Sequence, residues 1–373
     1  MRRLLLAGIV VVAGCDSPRP ASRDVERAPT PDTTRADSQV TWTVRPIVNA
    51  PRYFELRDWV TADTLWGLAG SNPVDIHVAS GAGRPWGVRA SGARRSADGS
   101  AIAWVDTTGV WIMRRGGRAR RVLRFASLPQ RPAGDPTFDI HWAPNGRRLL
   151  TSWAEEGSVT HALVDTMSGG LEPLALRLPG YAPPGVALWL DDRRMLFTVR
   201  AIGGKDGATG YRESGWRGDI ALHDLGTHQF DRVTTVNDGV FLEPVAAWGD
   251  TVLVMRRLSG DTLATFSLFD MRTWAETPSG LPRGTGVASS VDGQWVAVFR
   301  SDNLLSQVLI RGRQPDTPSA APLLIPGRVT GAAWSRNGRA LAVSTMAEEP
   351  VDGRPGEVPA VYRLSVIDAP EDR

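Results

Sequence analysis

One short pattern recurs along this chain and limits what it can fold into: an apolar run, a tight Asp-Gly or Asn-Gly turn, and a second apolar run. The clearest copies are Arg95-Ser-Ala-Asp-Gly99-Ser-Ala-Ile-Ala-Trp104, His141-Trp-Ala-Pro-Asn-Gly146-Arg-Arg-Leu-Leu150, Val291-Asp-Gly293-Gln-Trp-Val-Ala-Val298 and Trp334-Ser-Arg-Asn-Gly338-Arg-Ala-Leu-Ala-Val343. Weaker copies turn at Asp192 and Asp250, and another stands at the front around Asp63. Asp-Gly and Asn-Gly predict two-residue hairpins whose central residues take positive φ. From Asp63 through Gly99, Gly146, Asp192, Asp250 and Gly293 to Gly338 the gaps are 36, 47, 46, 58, 43 and 45 residues. A period in the forties with several strands per copy belongs to a β-propeller, at four strands per blade. Helical repeats of similar period would need apolar residues three and four apart over long stretches. These segments are instead short, rich in Val, Trp and Leu, and cut by Gly and Pro.

A third strand recurs as well, in Ala162-Leu-Val-Asp165, Ala221-Leu-His-Asp224, Ser267-Leu-Phe-Asp270 and Ser365-Val-Ile-Asp368. The terminal Asp suits a strand end whose carboxylate accepts backbone N–H groups of the following turn. The combination of Trp334-Ser-Arg-Asn-Gly338-Arg-Ala-Leu-Ala-Val343 with a later strand ending in Asp resembles the repeats of TolB-like propellers over most of residues 56–368. Periplasmic members of that family are protein-binding components of envelope systems, so the resemblance implies a binding role. The fold expected is all-β, a propeller of seven blades of four antiparallel strands. The alternating segment Val40-Thr-Trp-Thr-Val44 is the spare strand that closes the last blade and removes its edge. Six blades with one irregular insertion is the alternative.

The first fifteen residues carry a separate signal. Arg2 and Arg3 precede an apolar run from Leu4 to Val12, then Ala13-Gly14-Cys15. This resembles a bacterial lipoprotein signal peptide with its lipobox, and it implies cleavage before Cys15 and lipid on its thiol. The run is too short to span a bilayer. Residues 16–40 are rich in Pro, Thr, Ser, Arg and Asp, a composition that makes a flexible tether with a reach on the order of 30 Å. The expected divisions are a signal peptide at 1–14, a tether at 15–39 and a propeller at 40–373. Three acyl chains would hold such a protein firmly where one would not. The expected location is the cell envelope, membrane-anchored and facing the periplasm, with inner and outer membrane both open.

Composition narrows the chemistry. Losing residues 1–14 takes the formal charge from +3 to +1, which leaves no strong field to hold nucleic acid. Lys205 is the single lysine, and the arginine excess reads as codon bias. Cys15 is the single cysteine, so once acylated it leaves no disulfide or thiolate chemistry. No His-Glu-x-x-His stretch, EF-hand loop or Gly-x-Ser-x-Gly elbow occurs, and His77, His141, His161, His223 and His228 lack metal-ligand spacing. No cofactor is expected.

Trp142, Trp189, Trp248 and Trp334 recur just before the hairpin turns and read as packing between blades, whereas Trp86, Trp153, Trp216 and Trp274 are candidates for surface contacts. The remaining candidates for recognition are two expanded loops between second and third strands. One runs from Ala201 to Trp216 with Lys205 and Tyr211. The other runs from Met346 to Pro359 with Glu348, Glu349 and Arg354. The function that follows is a lipid-anchored, non-enzymatic scaffold for a protein or peptide partner. The alternative is a lactonase-, lyase- or glycosidase-like enzyme working from polar residues of the central channel.

Overall fold

The computed structural model describes residues 41–51, 53–128, 139–155, 158–182, 185, 187–202, 217–302, 304–313, 321–348 and 360–370. Apart from one 3-10 turn at Phe125–Ser127, its regular elements are all β-strands. They form five four-stranded sheets and one eight-stranded sheet. The eight-stranded sheet divides at a single parallel bridge, Gly218 to Phe241, into two antiparallel halves of four strands. In chain order the four-stranded units cover 54–85, 94–124, 139–174, 187–232, 240–278, 286–326 and 328–368. The last of these holds only three strands of its own. Thr43–Pro46 supplies the fourth, antiparallel to Ala360–Asp368 with Thr43 opposite Asp368. A closing N-terminal strand was expected at 40–44. Pairing starts later because Trp42 turns inward, edge-on to Trp295 and Trp334 with ring centroids 5.4 and 5.8 Å away.

Burial explains the sequence pattern of the second strands. Arg194–Arg200, Trp295–Ser301 and Thr251–Leu258 each carry four or five consecutive buried residues. Strict alternation is lost because each sheet is covered on both faces by its neighbours. The apolar core is accordingly seven clusters, each joining one unit to the next. One of them packs Phe54, Leu56 and Ile76 of the first unit against Ala342, Leu364 and Val366 of the last. Each fully buried side chain of this kind contributes about 1.5–3 kcal/mol.

The hairpin turns differ from expectation. Gly99, Gly146, Gly293 and Gly338 have φ of 74°, 68°, 66° and 67°, but Asp98, Asn145, Asp292 and Asn337 are not in the positive-φ region. Each glycine N–H instead donates to the carbonyl three residues back, as Gly99 does to Ser96 at 2.8 Å. Side chains widen the turn to four residues. Ser96 Oγ donates to Asp98 at 2.6 Å and accepts from Ala101 N at 3.0 Å, while Asp98 accepts from Ser100 N at 3.0 Å. Ser290 with Asp292, and Ser335 with Asn337, repeat this arrangement. Ser-x-Asp/Asn-Gly is thus the working unit at three of the four turns, Ala143 replacing the serine before Gly146, and only the glycine needs the left-handed region.

The third-strand aspartates do close the next turn at three of four positions. Asp165 accepts from the N–H groups of Met167 and Ser168, Asp224 from Gly226 and Thr227, and Asp270 from Arg272 and Thr273. Asp368 instead takes Arg45 Nε of the closing strand at 3.3 Å. No turn leads from it to a fourth strand, because that strand comes from the other end of the chain.

Candidate functional site

The alternation of strands places two kinds of connection on opposite faces. Hairpin turns and third-to-fourth strand turns share one face; second-to-third loops and links between units share the other. Both expanded loops leave from the latter, one between Arg194–Arg200 and Gly218–Asp224, the other between Ala340–Glu348 and Ala360–Asp368. Lys205, Tyr211, Trp216, Glu349 and Arg354 lie outside the described residues, as does Cys15. Glu348 is the last residue of its strand, opposite Ala360.

The base of the first loop is described, and it is clamped. Tyr181, in the link before the fourth unit, pairs with Ala201 in an isolated bridge. Its hydroxyl donates to Asp219 Oδ2 at 2.8 Å and accepts from Arg217 at 3.0 Å and from Arg232. Arg217 also holds Oδ2 at 2.9 Å, while Oδ1 accepts from Val236 N at 2.9 Å. Asp219 is fully buried. A phenol with one donor and two acceptor sites is saturated by these contacts, so the cluster ties two links to one unit.

First strands touch one another across most of the seams and so lie toward the axis. In the first two units the charges near these strands are paired. Arg57 meets Glu55 at 2.8 Å. Arg95 donates to Asp75 at 3.0 Å with both side chains under 5% exposed, and Arg115 takes the other oxygen of the same carboxylate. Both guanidinium groups lie against the Trp86 ring, at 5.7 and 5.4 Å from its centroid. Burial pushes the Arg95 guanidinium down from its usual range, with Asp75 opposing. Asp58 is the exception in sign. Burial pushes its carboxyl up, against the Trp59 N–H and the charges of Arg95 and Arg336.

Two histidines serve their own sheets. His161 is buried and shares a 2.7 Å hydrogen bond with Ser152, its cross-strand partner, edge-on to Phe197. His223 bonds the Gln229 carbonyl at 2.9 Å, and burial pushes its pKa down. Among the described residues no group of three or more His, Cys, Asp or Glu is placed to hold a metal ion.

A recess opens elsewhere, on the turn face at the seam of the second and third units, with a volume of about 710 Å³. Ala101, Ile112, Trp142 and Met167 line it together with Arg114, Arg118, Arg120 and Arg147. Arg120 donates to the Met167 carbonyl at 2.9 Å, and Arg114 lies 3.6 Å from the Met167 sulfur. Two carboxylates share the rim, Asp98 and Asp165, and each accepts hydrogen bonds from its own turn. Asp98 takes Ser96 Oγ, Ser100 N and Ser100 Oγ, and the Ser96 hydroxyl leads the causes that lower its pKa to about 2. Asp165 takes Met167 N, Ser168 N and Ser168 Oγ. None of the four arginines forms an ion pair with a described residue.

Arg114 and Arg115 show how strand alternation divides the charges. Successive side chains point to opposite faces, so Arg115 reaches Asp75 in the seam of the first and second units while Arg114 faces the recess. Composition alone hid this site. Its trace is the run Arg114-Arg-Gly-Gly-Arg-Ala-Arg-Arg121, which reads as codon bias until the neighbouring unit is in place.

The tryptophans before the turns do pack between units. Trp142 Nε1 donates to the Arg94 carbonyl at 3.0 Å, and Trp334 Nε1 to that of Ala288 at 3.1 Å, each in the first strand of the preceding unit. The expectation of a surface contact fails at Trp153, while Trp86 and Trp274 are half-buried. Trp153 is buried in a seam, Trp86 and Trp274 pack against seams, and Trp216 lies outside the described residues.

No protein-family model matches the sequence, and no curated protein matches it. Solved structures do. An oligogalacturonate lyase in complex with manganese superimposes with a TM-score of 0.58 at 12% identity, over 89% of this chain and 97% of that one. Hydrazine synthase from Kuenenia stuttgartiensis gives 0.55 at 11% identity, over 80% and 93%. TolB from Acinetobacter baumannii gives 0.43 at 15% identity, over 84% and 79%. Likeness at such identities establishes the propeller fold and leaves function to the site.

Proposed function

We propose that this protein is a seven-bladed propeller, lipid-anchored through Cys15 in the cell envelope, that binds a protein or peptide partner without chemistry of its own. The observation that carries the reading is a contrast between two places. In the seam of the first and second units the buried charges are paired within the protein, Asp75 with Arg95 and Arg115. The recess at the seam of the second and third units instead presents four arginines with no ion-pair partner around an apolar floor. Such an arrangement suits recognition of another chain. The seven interunit clusters support the blade count, and the resemblance to TolB-like repeats is consistent with a binding role.

A photo-crosslinking residue in place of Arg118, in the full chain in its own envelope, tests the reading. The control position is Val291, which is 73% exposed on the hairpin turn of the sixth unit. One discrete protein adduct from position 118, absent from 291, is expected. Equal adducts at both positions, or none at either, would sink the scaffold reading. The enzyme alternative rests on Asp58, a carboxyl whose pKa burial raises on a first strand. Asp58→Asn would abolish an activity based there and leave the adduct intact.

A further inference from the structure

We propose that the recess between the second and third units takes an acidic peptide segment, one that sets carboxylates against its arginine rim and an apolar side chain on its floor. This rests on the scaffold reading and names the chemistry of the partner. Four guanidinium groups face two carboxylates around one opening. Serine hydroxyls and turn N–H groups hold Asp98 through both oxygens and Asp165 through Oδ1; Arg114 acts on Asp98 only through its charge, and two carboxylates cannot balance four guanidinium groups. The excess positive charge is therefore left for a ligand. Guanidinium groups bind carboxylates through paired, charge-assisted hydrogen bonds.

The floor decides between kinds of anion. Ala101 and Ile112 are buried beneath the opening, and Trp142 has committed its N–H to the Arg94 carbonyl. Trp142 therefore offers the recess apolar surface only, beside the Met167 side chain. An apolar floor under a cationic rim matches an extended segment in which acidic and aliphatic residues alternate. A recess of about 710 Å³ has room for a few residues of such a segment. A flat membrane surface would meet the rim and leave the floor empty.

Two of the arginines are fixed in advance. Arg120 spans the seam to the carbonyls of Thr166 and Met167, and Arg114 leans on the Met167 sulfur. Arg118 and Arg147 are exposed, and their side chains have no partner among the described residues. They are the positions to change, since altering them leaves the seam intact.

The test uses the full lipidated chain in detergent and a fluorescent peptide of alternating Glu and Leu, read by anisotropy. A Lys-Leu peptide and phosphatidylglycerol vesicles are the comparison probes. Saturable binding of the Glu-Leu peptide is expected, weakened tenfold or more by Arg118→Glu with Arg147→Glu and falling with added salt. The paired Gln variants should fall between the two, and the Glu variants should bind the Lys-Leu peptide in exchange. Circular dichroism checks that the fold persists. Failure of the native chain to bind the Glu-Leu peptide overturns the proposal. So does binding that the Glu variants leave unchanged, or vesicle binding that they abolish while the peptide does not bind. Each of these would leave an adduct at position 118 standing, so the scaffold reading fails or survives separately.

Discussion

Asp58 shows how one residue's environment becomes a pH-dependent property. Its carboxyl is raised by burial more than the nearby arginines lower it, so the folded state holds its proton to higher pH than the unfolded chain does. The stability this gives is present below the unfolded carboxyl range and is lost as pH rises through the folded pKa. Asp58→Asn removes the titration at nearly constant shape. The variant should unfold at higher urea than the parent at pH 7, with the gap closing as pH falls below 4. A lower midpoint at pH 7 would mean that Arg95 and Arg336 outweigh burial. None of this can be read from a lone Asp in a strand. The burial comes from a fold in which residues 58, 95 and 336 belong to three different units.

At the scale of the hairpin, the repeated turn is a cooperative motif of Ser, Asp or Asn, and Gly. Gly146 isolates its backbone requirement, with φ of 68° and nothing within 4 Å of where a Cβ would stand. Gly146→Ala should cost about 1 kcal/mol from the left-handed conformation alone, and Gly146→Asn less, measured by urea denaturation. A loss equal for both would locate the cost in sterics. The turn's existence was legible in Asp-Gly and Asn-Gly. Its type was not, because the serine two residues earlier supplies the hydrogen bonds that widen it.

For the whole molecule, closure of the ring depends on a strand from one end of the chain meeting strands from the other. Trp42, 4% exposed, packs with Trp295 and Trp334 at the start of that strand. Trp42→Ala should cost about 3–5 kcal/mol, with fluorescence and circular dichroism reporting one shared midpoint. Separate midpoints would show that the units unfold independently. The recess belongs to this scale too. Arg114, Arg118 and Arg120 come from one unit and Arg147 from the next, and only the seam sets them around one floor.

The sequence by itself determined the repeat, its strands and turns, the all-β class and the closing strand. Those features follow from local preferences: β-branched and aromatic runs, glycines that tolerate positive φ, and a period that no helical repeat fits. Tertiary structure alone decided which charges are neutralised and which are left facing solvent. Asp75 and Arg95 lie 20 positions apart and satisfy each other, while Arg114 and Arg147 lie 33 apart and line one recess. The repeat recurs in sequence, but the seams between its copies do not. Pairing across a seam depends on which side chains two sheets bring within a few ångströms, and one copy of the pattern carries no record of that.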